Sequence, residues 1–199
     1  MRGAVFLDRD GTVNRSDVRD GRPYAPIRLE DFEIFPAAVA MVERIRAEGC
    51  PVIIVTNQPD LATGKQTRAV LDAMHDQLRS ELAVVDILIC PHTDDAGCEC
   101  RKPKPGMILE AACKWGVDLR RSVMVGDRWR DIEAGRAAGC ATVFVDRGYT
   151  EETAGSPADI SVQSLGDAVE FILARLQSPD DAIPERSHRR SGILDLENG

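Results

Sequence analysis

The chain has 199 residues, an apolar fraction of 43% with two tryptophans, and a formal net charge of -8. Those values bound it to one ordinary globular core and argue against general affinity for nucleic acid or anionic membrane, which such a surface repels at long range. No apolar run approaches the roughly 20 residues that span a bilayer, and the start, "MRGAVFLDRD", turns charged too early for a signal peptide; a cytoplasmic monomer is expected, and its six cysteines are not read as a disulfide framework.

In chain order, "AVFLD" (4–8) reads as a strand, "AAVAMVERIRAEG" (37–49) as a helix, "PVIIVTN" (51–57) as a buried strand, "TRAVLDAMHDQLRSEL" (67–82) as a helix and "VVDILIC" (84–90) as a strand. "GMILEAACKWG" (106–116) follows as helix, "SVMVGD" (122–127) as strand, "DIEAGRAAG" (131–139) as helix, "ATVFVD" (141–146) as strand and "SLGDAVEFILARL" (164–176) as the last helix. This alternation predicts an α/β fold: a doubly wound, mostly parallel sheet with helices on both faces. Neither 11–55 nor 57–101 is long enough for a large inserted cap, so loops alone should roof a site. One domain is expected over 1–177, followed by a weakly ordered tail over 178–199, rich in proline and charge.

Strands that are apolar throughout and end in a polar residue fit sheet centres whose carboxyl ends line a crevice. Asp8, Thr56 and Asp127 all stand at such ends. In "FLDRDGT", alternation sends Asp8 and Asp10 the same way, and Gly11 permits the turn that follows. Glycine beside Asp10 also suits a simple turn, but an unpaired carboxylate at the Asp8 position is costly unless a cation or donors meet it. "VMVGDRWRD" adds Asp127 and Asp131. A few carboxylates with open positions suit Mg²⁺; Asp131 equally suits a helix cap. In "CRKPKPGM", Arg101, Lys102 and Lys104 precede a helix. With the Thr56 hydroxyl and Asn57 they supply what a phosphoryl group requires, Lys104 alone reading as a solvated surface residue.

"CPHTDDAGCEC" (90–100) concentrates Cys90, His92, Cys98 and Cys100 in one loop. Three thiolates and one imidazole match a closed, structural Zn²⁺ site. Cys50, Cys113 and Cys140 read as small core residues, His75 as a helix-surface residue and His188 as part of the tail.

Together "DRDGT", "VTN", Lys102 and "GDRWRD" resemble, in order, the four motifs of the haloacid dehalogenase-like phosphatases, over residues 4 to about 176. The resemblance implies a first strand flanked by the second and fourth. It implies Asp8 as a nucleophile that forms an aspartyl-phosphate, Asp10 as the acid and base, and Mg²⁺ held by Asp8, Asp127 and the Asp10 carbonyl. Thr56, Asn57 and Lys102 would neutralise the transferring oxygens. The cysteine loop is similar to that of the zinc-containing, capless branch, whose members act on heptose bisphosphates or histidinol phosphate. "CECRKPKPGM" is closer to the heptose enzymes, where the arginine matching Arg101 helps bind substrate. The implied partner is a small phosphorylated metabolite, with no nucleic acid and no membrane. Two departures stand out: Pro59-Asp60 after "VTNQ", and the poorly matching segment 15–32. An idle binding module of the same fold is the alternative from another class, disfavoured by the presence of Asp8, Asp10, Lys102 and Asp127 together.

Overall fold

A computed structural model of the chain describes residues 1–150 and 156–177; the predicted tail and His188 lie outside them. Strand β1 (Val5–Leu7) leads through an antiparallel hairpin, β2 (Asp17–Arg19) and β3 (Arg22–Tyr24), to α1 (Pro36–Ala47). Then come β4 (Val52–Asn57), α2 (Arg68–Leu82), β5 (Asp86–Cys90), α3 (Gly106–Trp115), β6 (Val123–Gly126), α4 (Trp129–Ala138), β7 (Ala141–Val145), β8 (Ile160–Val162) and α5 (Leu165–Gln177). Six strands form one parallel sheet in the order β5-β4-β1-β6-β7-β8, so β1 lies between β4 and β6 as the motif order implied.

The central strands are apolar at consecutive positions because both faces of the sheet are covered. Val5, Leu7, Val52, Ile54, Val123 and Val125 join a core with α1, α2 and α5, whereas Phe6, Ile53, Val55 and Met124 join a second core with α3 and α4. Helix α1 buries Ala38, Met41, Val42 and Ile45, the i, i+3, i+4, i+7 stripe of an amphipathic helix. Thr67 caps α2 by accepting from the Val70 amide at 3.3 Å, and α3 stops where Gly116 turns left-handed. Among the described residues no helix is long and apolar enough to cross a membrane.

Three strands escaped the sequence pattern. Strands β2 and β3 are three residues each and mostly polar, and β8 is equally short. The hairpin did carry a signal: Asp20 and Gly21 are both left-handed, at φ 50 and 72, the conformation for which Asp-Gly is favoured in two-residue hairpin turns.

Three expectations fail. His75 is buried, not on the helix surface: it falls on the same stripe of α2 as Leu71 and Leu78, and Arg9 gives its ring a partner inside the fold. Of the three supposed core cysteines only Cys140 is buried; Cys50 is half-buried and Cys113 is exposed on the outer face of α3.

Candidate active site

Parallel strands bring their carboxyl ends to one edge, and adjacent β1, β4 and β6 therefore gather Asp8, Thr56 and Asp127. Asp8, Asp10, Thr56, Asn57, Arg101, Lys102 and Asp131 line a cleft of about 430 Å³. Lys102 is its buried centre. Its Nζ donates to Asp8 Oδ1 at 2.5 Å and to the Val55 carbonyl at 2.8 Å, and lies 2.6 Å from Asp131 Oδ1, which uses all three ammonium protons. Burial pulls its pKa down, but Asp131 and Asp8 more than offset that and hold it above its ordinary value.

Asp8, Asp127 and Asp131 are all buried and can each bring a carboxylate oxygen within 4.8 Å of the others. Burial, opposed by Lys102 and reinforced by Asp131 and Asp10, raises Asp8 to about 6. Asp127 is raised too, by burial first and then by Asp8 and Asp131. Its Oδ1 accepts from the Thr12 hydroxyl at 3.1 Å, and a hydrogen bond from the Tyr149 hydroxyl opposes the rise in its pKa. Three carboxylates share one ammonium, so a divalent cation fits the surplus charge. Glycine makes the crowding possible: a Cβ on Gly11, at φ +88, would fall 1.9 Å from Asp127 Oδ2. Asp131 meets its helix-capping reading, since its Oδ2 accepts from the Arg128 amide at 3.0 Å at the start of α4.

Asp10 is held by donors on both oxygens. Arg9 Nε and Asn14 Nδ2 each donate to Oδ1 at 3.0 Å, and Gln58 Nε2 donates to Oδ2 at 2.7 Å. The same Gln58 nitrogen reaches Thr56 Oγ1 at 2.9 Å, which leaves the threonine hydroxyl proton available. Asn57 spends its amide on the Lys102 backbone, donating to its carbonyl at 3.0 Å and accepting from its N–H at 3.1 Å. It braces the lysine loop from β4. Behind Asp10, the fully buried Arg9 lies 3.3 Å from His75 Nε2 and over the Phe32 ring. Burial first, then Arg9 and Arg79, lower His75 to about 3, so its neutral ring can accept from the guanidinium.

Arg101 does not stand open at the rim. It donates from Nε to Asp94 at 2.7 Å and from Nη1 to the His92 carbonyl at 3.0 Å, against the cysteine loop. Lys104 is a surface residue paired with Glu99 at 2.8 Å. In the loop itself, Cys100 Sγ lies 3.2 Å from Cys90, 3.5 Å from Cys98 and 3.4 Å from His92 Nδ1, and Cys90 lies 3.6 Å from Cys98 and 3.5 Å from His92. Metal–sulfur bonds of about 2.3 Å and metal–nitrogen bonds of about 2.0 Å imply tetrahedral edges of roughly 3.5–3.8 Å. The donor set therefore fits one tetrahedral ion once the Cys90–Cys100 pair, at 3.2 Å, opens by about half an ångström.

Gln58, Arg9, Asp94 and Arg130 were not singled out in the sequence. Arg9 alternates away from the two aspartates that flank it, and the other three act through partners distant in the chain.

Comparison with known proteins places this geometry. A family model described as "HAD-hyrolase-like" matches residues 99–168. A Pseudomonas aeruginosa protein named D-glycero-beta-D-manno-heptose-1,7-bisphosphate 7-phosphatase is 37% identical over 181 residues, which is 88% of this chain and 99% of that one. A Photorhabdus laumondii protein named for the alpha anomer is 36% identical over 153 residues, 71% of this chain and 80% of its own. Among solved structures, the D,D-heptose 1,7-bisphosphate phosphatase of Bordetella bronchiseptica, complexed with magnesium and phosphate, matches at a TM-score of 0.75 and 34% identity, over 86% of this chain and 98% of that one.

Proposed function

This chain belongs to the heptose 1,7-bisphosphate phosphatases of the haloacid dehalogenase-like hydrolases, and we propose that it is a Mg²⁺-dependent phosphomonoesterase that removes the 7-phosphate of D-glycero-D-manno-heptose 1,7-bisphosphate. The observation that carries the reading is the buried Asp8 carboxylate, which lines the cleft, lies 2.5 Å from Lys102 and is grouped with Asp127 and Asp131.

In this reading an Asp8 oxygen attacks phosphorus in line, the bond from phosphorus to the sugar oxygen breaks, and an aspartyl-phosphate forms on Asp8. Asp10 protonates the departing alkoxide. As a carboxylate it then takes a proton from the water that attacks phosphorus, which releases phosphate and restores Asp8. With a pKa of about 6, Asp8 is mostly ionised at neutral pH, as a nucleophile must be. Lys102 and the Thr56 hydroxyl meet charge on the transferring oxygens, while Asn57 and Gln58 keep Lys102 and Asp10 in place. Asp8 and Asp127, with the Asp10 carbonyl, would hold Mg²⁺, which supplies Lewis-acid neutralisation of a phosphoryl oxygen when bound. Cys90, His92, Cys98 and Cys100 would hold one structural Zn²⁺.

Phosphate release from both anomers of heptose 1,7-bisphosphate, from sugar monophosphates and from histidinol phosphate tests the assignment, with Asp8→Asn as the blank. The heptose bisphosphate should show the highest kcat/KM, and the anomer preferred will place the chain beside one set of relatives. Histidinol phosphate ahead of every sugar phosphate would overturn the substrate, and turnover by Asp8→Asn the nucleophile.

A further inference from the structure

Asp94 stands in the cleft wall with two guanidiniums on it. Arg101 Nε and Arg130 Nη1 both donate to its Oδ1, at 2.7 and 2.6 Å, and Arg130 Nη2 reaches Oδ2 at 3.5 Å. The two arginines come from different elements, the basic loop after Cys100 and the first turn of α4, so the shared carboxylate is what joins them. Nitrogens bonded to one oxygen lie within roughly 5 Å of each other. Each arginine also has an anchor of its own. Arg101 Nη1 donates to the His92 carbonyl, and the Arg130 guanidinium lies 5.1 Å over the Trp129 ring. The arginine side chains are 14% and 26% exposed, but that of Asp94 is 62% exposed. The carboxylate is thus the most solvent-exposed member of the three. All three line the same cleft as Asp8 and Lys102.

Guanidinium forks bind carboxylate and phosphate oxygens by the same geometry, a phosphate monoester carries nearly twice the charge of a carboxylate near neutral pH, and an exposed ion pair holds its partner weakly.

We propose that Asp94 is a specificity-determining counter-anion: it keeps Arg101 and Arg130 converged as a two-guanidinium subsite, and the non-transferred phosphate of a bisphosphate substrate displaces it. This rests on the reading above only in that the transferred phosphate sits at Asp8; it does not require the sugar to be a heptose. Arg130 thereby becomes a substrate-binding residue, and Asp94 raises the selectivity of the subsite for a dianion over a weaker anion, because only the former gains enough to replace it.

The test uses fructose 1,6-bisphosphate and fructose 6-phosphate as matched competitors of p-nitrophenyl phosphate hydrolysis by the full chain. The readout is the ratio of the two inhibition constants, in which any general loss of activity or folded protein cancels. Wild type should bind the bisphosphate more tightly. Arg130→Gln should shrink that advantage about ten-fold, the worth of a charge-assisted hydrogen bond, and Asp94→Asn should enlarge it about three-fold by removing the competing anion. No bisphosphate advantage in wild type, an unmoved ratio in either variant, or a smaller ratio in Asp94→Asn would overturn the proposal. Heptose bisphosphate assayed alongside separates the two failures: if it is the best substrate while the ratios stay fixed, only the subsite falls; if the ratios move as expected while heptose bisphosphate is a poor substrate, only the heptose assignment falls.

Discussion

The Lys102 ammonium sits 2.5 Å from the Asp8 carboxylate and 2.6 Å from Asp131, almost sealed from solvent. It is thus the internal countercharge of a site that concentrates negative groups. Lys102→Met keeps most of the side-chain volume but leaves those carboxylates without it. Removing one partner of a buried ion pair costs about 3–5 kcal/mol, and removing a preorganised charge at a transferring group costs about 100-fold or more in kcat. Both losses are expected, measured by urea unfolding and by steady-state turnover. A variant with near wild-type kcat would show that Lys102 serves folding alone.

Asp10 is oriented by Arg9, Asn14 and Gln58, so Asp10→Asn should lose the proton transfer with little change in placement. Esters with poor leaving groups need that proton more than activated aryl esters do. Turnover of a sugar phosphate should therefore fall at least ten-fold further than turnover of p-nitrophenyl phosphate. Equal losses on the two substrates would remove Asp10 from the protonation step.

Gly11 faces Asp127 so closely that an added Cβ would meet Oδ2 at 1.9 Å and the Tyr149 oxygen at 2.7 Å. Its left-handed φ of +88 penalises any side chain as well. Gly11→Ala should push Asp127 from its place and weaken the response to Mg²⁺, seen as a rise of about ten-fold or more in the Mg²⁺ needed for half-maximal activity. Circular dichroism should stay that of wild type. An unchanged Mg²⁺ titration would separate Asp127 from the cation.

The residues legible in the sequence are those whose local context was odd. Asp8 and Asp127 end apolar strands, and Lys102 lies in a basic run beside a cysteine-rich loop, so each violated what packing alone would ask for. The strand order followed from the motif resemblance, and the sheet's two-sided burial from strands without polar alternation. Asp94 and Arg130 were illegible because their pairing spans 36 positions and neither residue is unusual where it stands. His75 was misread because a stripe of apolar neighbours says that a position is buried only when something inside can receive the imidazole, and that partner, Arg9, lies 66 residues away.

Five of the six separations among Cys90, His92, Cys98 and Cys100 are 3.2–3.6 Å, so metal binding should demand little reorganisation. One zinc per chain should survive purification without added metal, as read by elemental analysis. Cys100→Ser should lower zinc content and thermal stability together. Because Arg101 leans on the His92 carbonyl, the same variant should also bind bisphosphates less well. Full zinc content in Cys100→Ser, or stability indifferent to a strong chelator, would dismiss the site.

The last prediction concerns acid stability and starts from His75. Burial, helped by Arg9 and Arg79, lowers its pKa from an ordinary value of 6.5 to about 3 in the folded chain. Between those values the unfolded chain binds a proton that the folded chain refuses. Stability therefore rises with pH through that window: the full contribution is present above 6.5 and is lost progressively as pH falls toward 3, at about 1.4 kcal/mol per unit. At pH 5 the deficit from this one group is about 2 kcal/mol. Asp8 and Asp127, raised by burial, act in the opposite direction, so the wild-type profile alone does not isolate the histidine. His75→Gln does, because its amide oxygen can accept from Arg9 as the neutral ring does and never takes up a proton. Urea unfolding at pH 7 and pH 5 should show the variant losing about 2 kcal/mol less than wild type between the two. If both lose the same amount, the ring is already protonated in the fold, and it cannot be accepting from Arg9.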